Sequence, residues 1–128
     1  SGCNIASDCD RTAAGFASSV FGYSLATPDA SPTGRIGEME YSHTINPDIY
    51  CVENPDGLRT EGRNSGIWMY HPGTHFGAAV YHDSGRYRTI ALSVPLETFL
   101  SESDRAGILA AALEYLSGEG SCPSGTTR

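Results

Sequence analysis

The sequence predicts one domain of the α/β or α+β class, on three observations: a chain of 128 residues, a helix-period pattern near each end, and alternating apolar runs between them. A chain of that length buries most of its apolar surface around one core and is too short for two. Apolar residues make up 39% and charged residues 18%, and 15 glycines with 7 prolines point to a folded chain rich in turns.

Residues 10–21 read as the first helix. Asp10 can cap it, Ala13, Phe16, Ala17, Val20 and Phe21 fall on one face, and Gly22 stops it. From Tyr23 to Asn64 the chain is dense in Pro, Gly, Asp and Asn, with short candidate strands at 36–41 and 49–52, and reads as a long irregular excursion. Three strand-like runs follow at 66–70, 76–82 and 87–94. Asp83, Ser84, Gly85 and Arg86 join the last two as an antiparallel hairpin. The clearest helix spans 101–117, with Ser101 as cap, Asp104 in the capping-box position, and Ile108, Leu109, Ala112, Leu113 and Leu116 on one expected inward face. Gly118 ends it. Residues 1–118 therefore form the domain and 119–128 a polar tail or linker.

Charge and cysteines narrow the function classes. The net charge is -7, and every basic residue is Arg. A basic patch for nucleic acid or anionic lipid is disfavoured, and no apolar stretch approaches the roughly 20 residues of a membrane helix. The N-terminus lacks the basic-then-apolar layout of a signal peptide, so any export signal is expected to have been removed. Cys3, Cys9, Cys51 and Cys122 are an even number with no zinc-site spacing, which predicts at least one disulfide, a Cys3–Cys9 loop and a Cys51–Cys122 tie being one of three pairings. A bridged chain belongs outside the cell or at its surface.

Three stretches resemble the class I glutamine amidotransferase-like domains appended to secreted bacterial peptidases and surface proteins. Ser1, Gly2, Cys3, Asn4, Ile5 and Ala6, with the helix behind them, look like a strand end of those domains. Residues 76–81 and 87–92 resemble their penultimate and last strands. Val94, Pro95, Leu96 and Glu97, then Asp104, Arg105 and the 109–116 helix, are similar to their closing pattern. The resemblance covers both ends and leaves the middle poorly matched. It implies a partial doubly wound, flavodoxin-like sheet whose first strand–helix units precede Ser1. A parallel sheet needs neighbours and helices on both faces, so the expected partner is the missing N-terminal part of the same polypeptide or a second copy.

In that family the nucleophile is a Cys in a GxCxG turn and the base a His in an HPE run after the last strand. Cys3 lies near the first place without the flanking glycines, and Val94 stands where the His belongs. The expectation is a non-catalytic accessory or interaction domain of a secreted multidomain protein, such as a peptidase. One alternative is a cysteine hydrolase with Cys3 as nucleophile, its thiol activated at a helix N-terminus, and His71 or His43 as base. Another is an extracellular ligand-binding module using Trp68, Met69, Tyr70, Tyr41 and Tyr50. His71, His75 and His82 lie within a dozen residues, but Pro72 and Gly73 break any regular ligand spacing. Asn4, Asp8 and Asp10 lack a calcium-loop pattern. No metal or cofactor is expected.

Overall fold

A computed structural model describes residues 15–30, 33–43, 52 and 54–125. Residues 10–14 of the predicted first helix lie outside them. Its described end is a single π turn, Ala17–Phe21, closed by Gly22 in the left-handed conformation with its N–H on the Ala17 carbonyl. Seven strands follow: β1 (Tyr23–Thr27), β2 (Arg35–Ile36), β3 (Met39–Glu40), β4 (Gly57–Thr60), β5 (Ser65–Tyr70), β6 (Gly77–Asp83) and β7 (Arg88–Leu92). A 3-10 turn, Leu96–Thr98, leads into the helix α1 (Glu102–Leu116).

The main sheet runs β1-β4-β6-β5, with β7 also on β6. β5 takes one edge of β6. The other edge is shared, by β4 at the single position Leu58↔Gly77 and by β7 from Ala79↔Leu92 to Asp83↔Arg88. Every pairing among the described residues is antiparallel. The doubly wound arrangement is therefore not found there: chain reversals through short turns place neighbours head to tail, whereas parallel pairs need long crossovers. The 23–64 stretch is also more regular than its turn-rich composition predicts. It supplies β1 and β4 to the main sheet and folds 35–40 into a small β2–β3 hairpin. Of the expected strand at 49–52, only Val52 is described, fully buried and outside any strand.

The hairpin read between residues 76 and 94 is present as β6–β7. Gly85 takes φ +88, its N–H donates to Asp83 Oδ1 at 2.9 Å, and Arg88 Nε donates to Asp83 Oδ2 at 3.0 Å. The Gly85 N–H, foremost, and Arg88 hold the Asp83 carboxyl below its usual range.

Ser101 caps α1 as expected, its Oγ accepting from the Asp104 N–H at 3.3 Å. The inward face of the helix matches the expected one at Ile108 and Ala112 and departs from it at Leu109, Leu113 and Leu116. Ile108 and Tyr115 are buried with Ala111 and Ala112 partly so, while Leu109, Leu113 and Leu116 are 49%, 57% and 43% exposed. Both sets repeat at helical spacing, because the helix carries apolar residues around most of its girth.

The core lies on both faces of the sheet. The larger cluster joins Ile36, Tyr41, Val52, Trp68, Met69, Val94, Phe99 and Ile108, and the smaller joins Ala17, Tyr23, Leu58 and Val80. Strict alternation along β5 would send Trp68 and Met69 to opposite faces. Register irregularities on either side of Met69 bend the strand, and both residues enter the larger cluster.

Of the four cysteines only Cys122 is described. It is exposed and free, so the pairing of Cys51 with Cys122, one of the three considered, does not form. Residues 119–125 turn back toward the sheet: Pro123 is buried, and the Ser124 carbonyl accepts from Trp68 Nε1 at 3.0 Å. Among the described residues no helix is long and apolar enough to cross a membrane.

Candidate functional site

β5 runs straight into a turn at residues 71–75, and these two segments form one wall of a cleft of about 930 Å³. The β2–β3 hairpin contributes Ile36, Gly37, Glu38 and Met39, α1 contributes Ser103, Asp104, Gly107, Ile108 and Ala111, and the returning tail adds Ser124 and Gly125. Its volume falls within the range of sites for small organic ligands.

Local chemistry explains the turn. Pro72 and Gly73, with Gly73 at φ +70, reverse the chain, and the Thr74 N–H and hydroxyl both donate to the His71 carbonyl, at 3.2 and 2.8 Å. The His71 N–H then donates to the Phe76 carbonyl at 2.9 Å. β5 is thereby delivered back as β6.

His71, one of the two candidate catalytic residues, lies in this wall at 2% exposure. Its Nε2 is 3.1 Å from the Asp56 carbonyl oxygen and 3.3 Å from Ser93 Oγ. A carbonyl only accepts, so Nε2 carries the proton. The Ser93 hydroxyl donates to the Ala78 carbonyl at 3.2 Å and is left to accept from the imidazole. Burial, foremost, pushes the His71 pKa down, partly opposed by the bond to Asp56. Asp56, His71 and Ser93 have the residue types of a hydrolytic triad, but a triad needs the base lone pair, not its N–H, directed at the hydroxyl. The arrangement ties the end of β5 to the loop before β4 and to the end of β7. Sequence reading missed Asp56 and Ser93, whose separations of 15 and 22 residues from His71 leave no local signal.

Cys3, the other candidate, lies outside the described residues, as do Asn4, Asp8, Asp10 and Tyr50. His43 is exposed, with its ring near Tyr41. His75 is exposed with its ring 4.4 Å from Phe76, and His82 Nδ1 is 2.8 Å from Ser65 Oγ. Among the described residues no three His, Cys, Asp or Glu side chains converge as a metal site. Of the expected aromatic face, Trp68, Met69 and Tyr70 line the cleft, while Tyr41 is buried in the core.

The cleft has a definite chemical character. Its apolar lining includes both methionines of the chain, Met39 and Met69, whose flexible thioethers adapt to bound shapes. Its formally charged lining residues are Glu38, exposed on the β2–β3 turn, and Asp104, in the first turn of α1. No Lys or Arg lines it, and neither carboxylate has an ion-pair partner among the described residues. Gly107 opens the helix wall: a Cβ there would meet no atom within 4 Å. Glycine inside a helix costs about 1 kcal/mol relative to alanine, and here its missing side chain leaves room in the cleft.

Compared with known proteins, the chain matches no family model, no curated protein and no solved structure.

Proposed function

We propose that the chain is a non-catalytic interaction module of a secreted or cell-surface multidomain protein, and that its ligand occupies the cleft between β5, the β2–β3 hairpin and α1. The observation that carries this reading is the cleft itself: preformed, lined by both methionines, and bordered by two carboxylates that have no ion-pair partner among the described residues. The cysteine-hydrolase alternative draws no support from His71, which is buried at 2% exposure and has Ser93 and the Asp56 carbonyl as its hydrogen-bond partners.

The extracellular setting rests on composition, namely four cysteines and an arginine-only set of basic residues. A free Cys122 takes one cysteine out of that argument. Kinship with amidotransferase-like domains rests on the sequence resemblance alone. It requires that the parallel strands of a doubly wound sheet come from polypeptide other than the described residues. The exposed stripe of Leu109, Leu113 and Leu116 is apolar surface that such a segment, or a second copy, would cover.

The test is a titration of the isotope-labelled protein with a set of small apolar, basic and acidic organic probes, read by amide chemical shifts. Shifts concentrated at residues 36–39, 68–75 and 103–111, abolished by Gly107→Phe, support the reading. Shifts scattered over the surface, or none, overturn it. Peptide or ester hydrolysis abolished by alkylation of Cys3 would instead establish the hydrolase.

A further inference from the structure

A second cavity, of about 630 Å³, opens at the other end of β5 from the 71–75 turn. Three chain segments meet there. The β4–β5 turn brings Arg63 and Asn64, the β6–β7 hairpin brings Tyr81, Asp83 and Arg88, and the chain after α1 brings Ser121. The cavity shares no lining residue with the 930 Å³ cleft.

Its polar groups are mostly donors. Arg88 is fixed in place: Nε donates to Asp83 Oδ2 at 3.0 Å, Nη1 donates to the Tyr115 carbonyl at 2.9 Å, and the guanidinium carbon lies 4.6 Å from the Tyr115 ring centre. Its Nη2 makes no hydrogen bond among the described residues. Arg63 is exposed and has no ion-pair partner there, and the Asn64 amide and the Tyr81 and Ser121 hydroxyls have no hydrogen-bond partner there. The Asp83 carboxylate is already served on both oxygens, by the Gly85 N–H and by Arg88. Two guanidinium groups and one carboxylate leave the lining one positive charge in excess, in a chain of net charge -7.

We propose that this cavity binds the phosphate or sulfate ester of a small hydrophilic molecule such as a sugar. The oxyanion lies between Arg63 and Nη2 of Arg88, and Tyr81, Asn64 and Ser121 donate to its remaining oxygens. Unpartnered donors around a surplus positive charge select an anion, because hydrogen bonds between charged partners are the strong ones. Their arrival from three separate segments selects a tetrahedral ester over a carboxylate, whose oxygens accept near one plane. The volume falls in the range of small organic ligands, and the polar lining selects a hydrophilic body.

The experiment titrates the isotope-labelled protein with glucose 6-phosphate, glucose 6-sulfate, glucuronate and glucose at one fixed ionic strength, read by amide chemical shifts. At least one ester should shift the amides of residues 63–65, 83–85 and 120–121 and bind about tenfold or more tightly than glucuronate or glucose. The tighter of the two esters identifies the oxyanion. Arg63→Gln should weaken ester binding about tenfold and keep the wild-type amide spectrum elsewhere. Arg86→Gln removes the same charge from an exposed residue of the same hairpin that does not line the cavity, and should leave the affinity within about twofold.

Glucuronate binding as tightly as the esters overturns the proposal. So does equal weakening by the two variants, which would mean general attraction to positive charge, or the lack of any ester-dependent shift at these residues up to about 10 mM. None of these outcomes bears on the reading of the cleft, which is tested by shifts at other residues.

Discussion

The proton on His71 Nε2 is shared between the Asp56 carbonyl and the Ser93 hydroxyl, in a setting that admits a neutral ring and resists a charged one. The folded-state pKa of His71 therefore lies below the ordinary 6.5. Below that ordinary value the unfolded chain binds a proton that the folded chain does not. Stability from this residue is fully present above 6.5 and is lost as pH falls toward the folded-state pKa, at a slope of at most about 1.4 kcal/mol per pH unit. Urea midpoints measured from about pH 7.5 to about 5.5 should fall for the wild type and change less for His71→Gln, whatever that variant's absolute stability. Gly107 makes a second prediction of opposite sign. Alanine there meets nothing within 4 Å and sits inside α1, so Gly107→Ala should raise stability by about 0.5–1 kcal/mol, seen as a thermal midpoint higher by a few degrees. The sequence marks both residues, one by its place before Pro72 and Gly73, the other by lying inside a helical pattern. It does not reveal their surroundings, because the atoms that decide them come from other elements.

The helix α1 shows how far a pattern reaches at the scale of an element. Its limits follow from local chemistry, the Ser101 cap at one end and Gly118 beyond the other, and both were legible in the sequence. Its orientation was legible only in part. The rows 108–111–112–115 and 109–113–116 each satisfy helical spacing, and only the shape of the sheet beneath selects the first, where Tyr115 packs edge-on against Tyr81 at 5.5 Å and under the Arg88 guanidinium at 4.6 Å. Ile108→Ala should therefore lower stability by about 2–4 kcal/mol in urea unfolding. Leu113→Gln should change it by less than about 0.5 kcal/mol, although the sequence pattern assigns both positions inward. The β6–β7 hairpin was legible because its turn is local: Gly85 supplies the positive φ and Asp83 the acceptor for its N–H. Gly85→Ala should cost about 1 kcal/mol or more, read by the same unfolding curves. β1 and β4 were not legible. They are short, lie among turn residues, and are paired with each other between positions distant in the chain, from Tyr23↔Thr60 to Thr27↔Gly57.

Across the whole molecule, the bond from Trp68 to the Ser124 carbonyl spans 56 positions and fastens the end of the described chain onto the sheet. Trp68→Phe removes the donor, leaves that carbonyl without it and opens space in the core. It should lower stability by at least about 1 kcal/mol and speed proteolysis within residues 119–125, measured by limited digestion. The sequence by itself determined the mixed class, the hairpin and the limits of the C-terminal helix, because periodicity, turn chemistry and capping act within a few residues of chain. The tertiary structure alone decided the rest. Which strands are neighbours, that they run antiparallel, which face of α1 turns inward, that Cys122 stays free and that a cleft opens beside β5 all depend on contacts between distant segments. Such contacts form where packing and hydrogen bonding across the folded chain outweigh the entropy of closing the loops between them, and no local pattern records that balance.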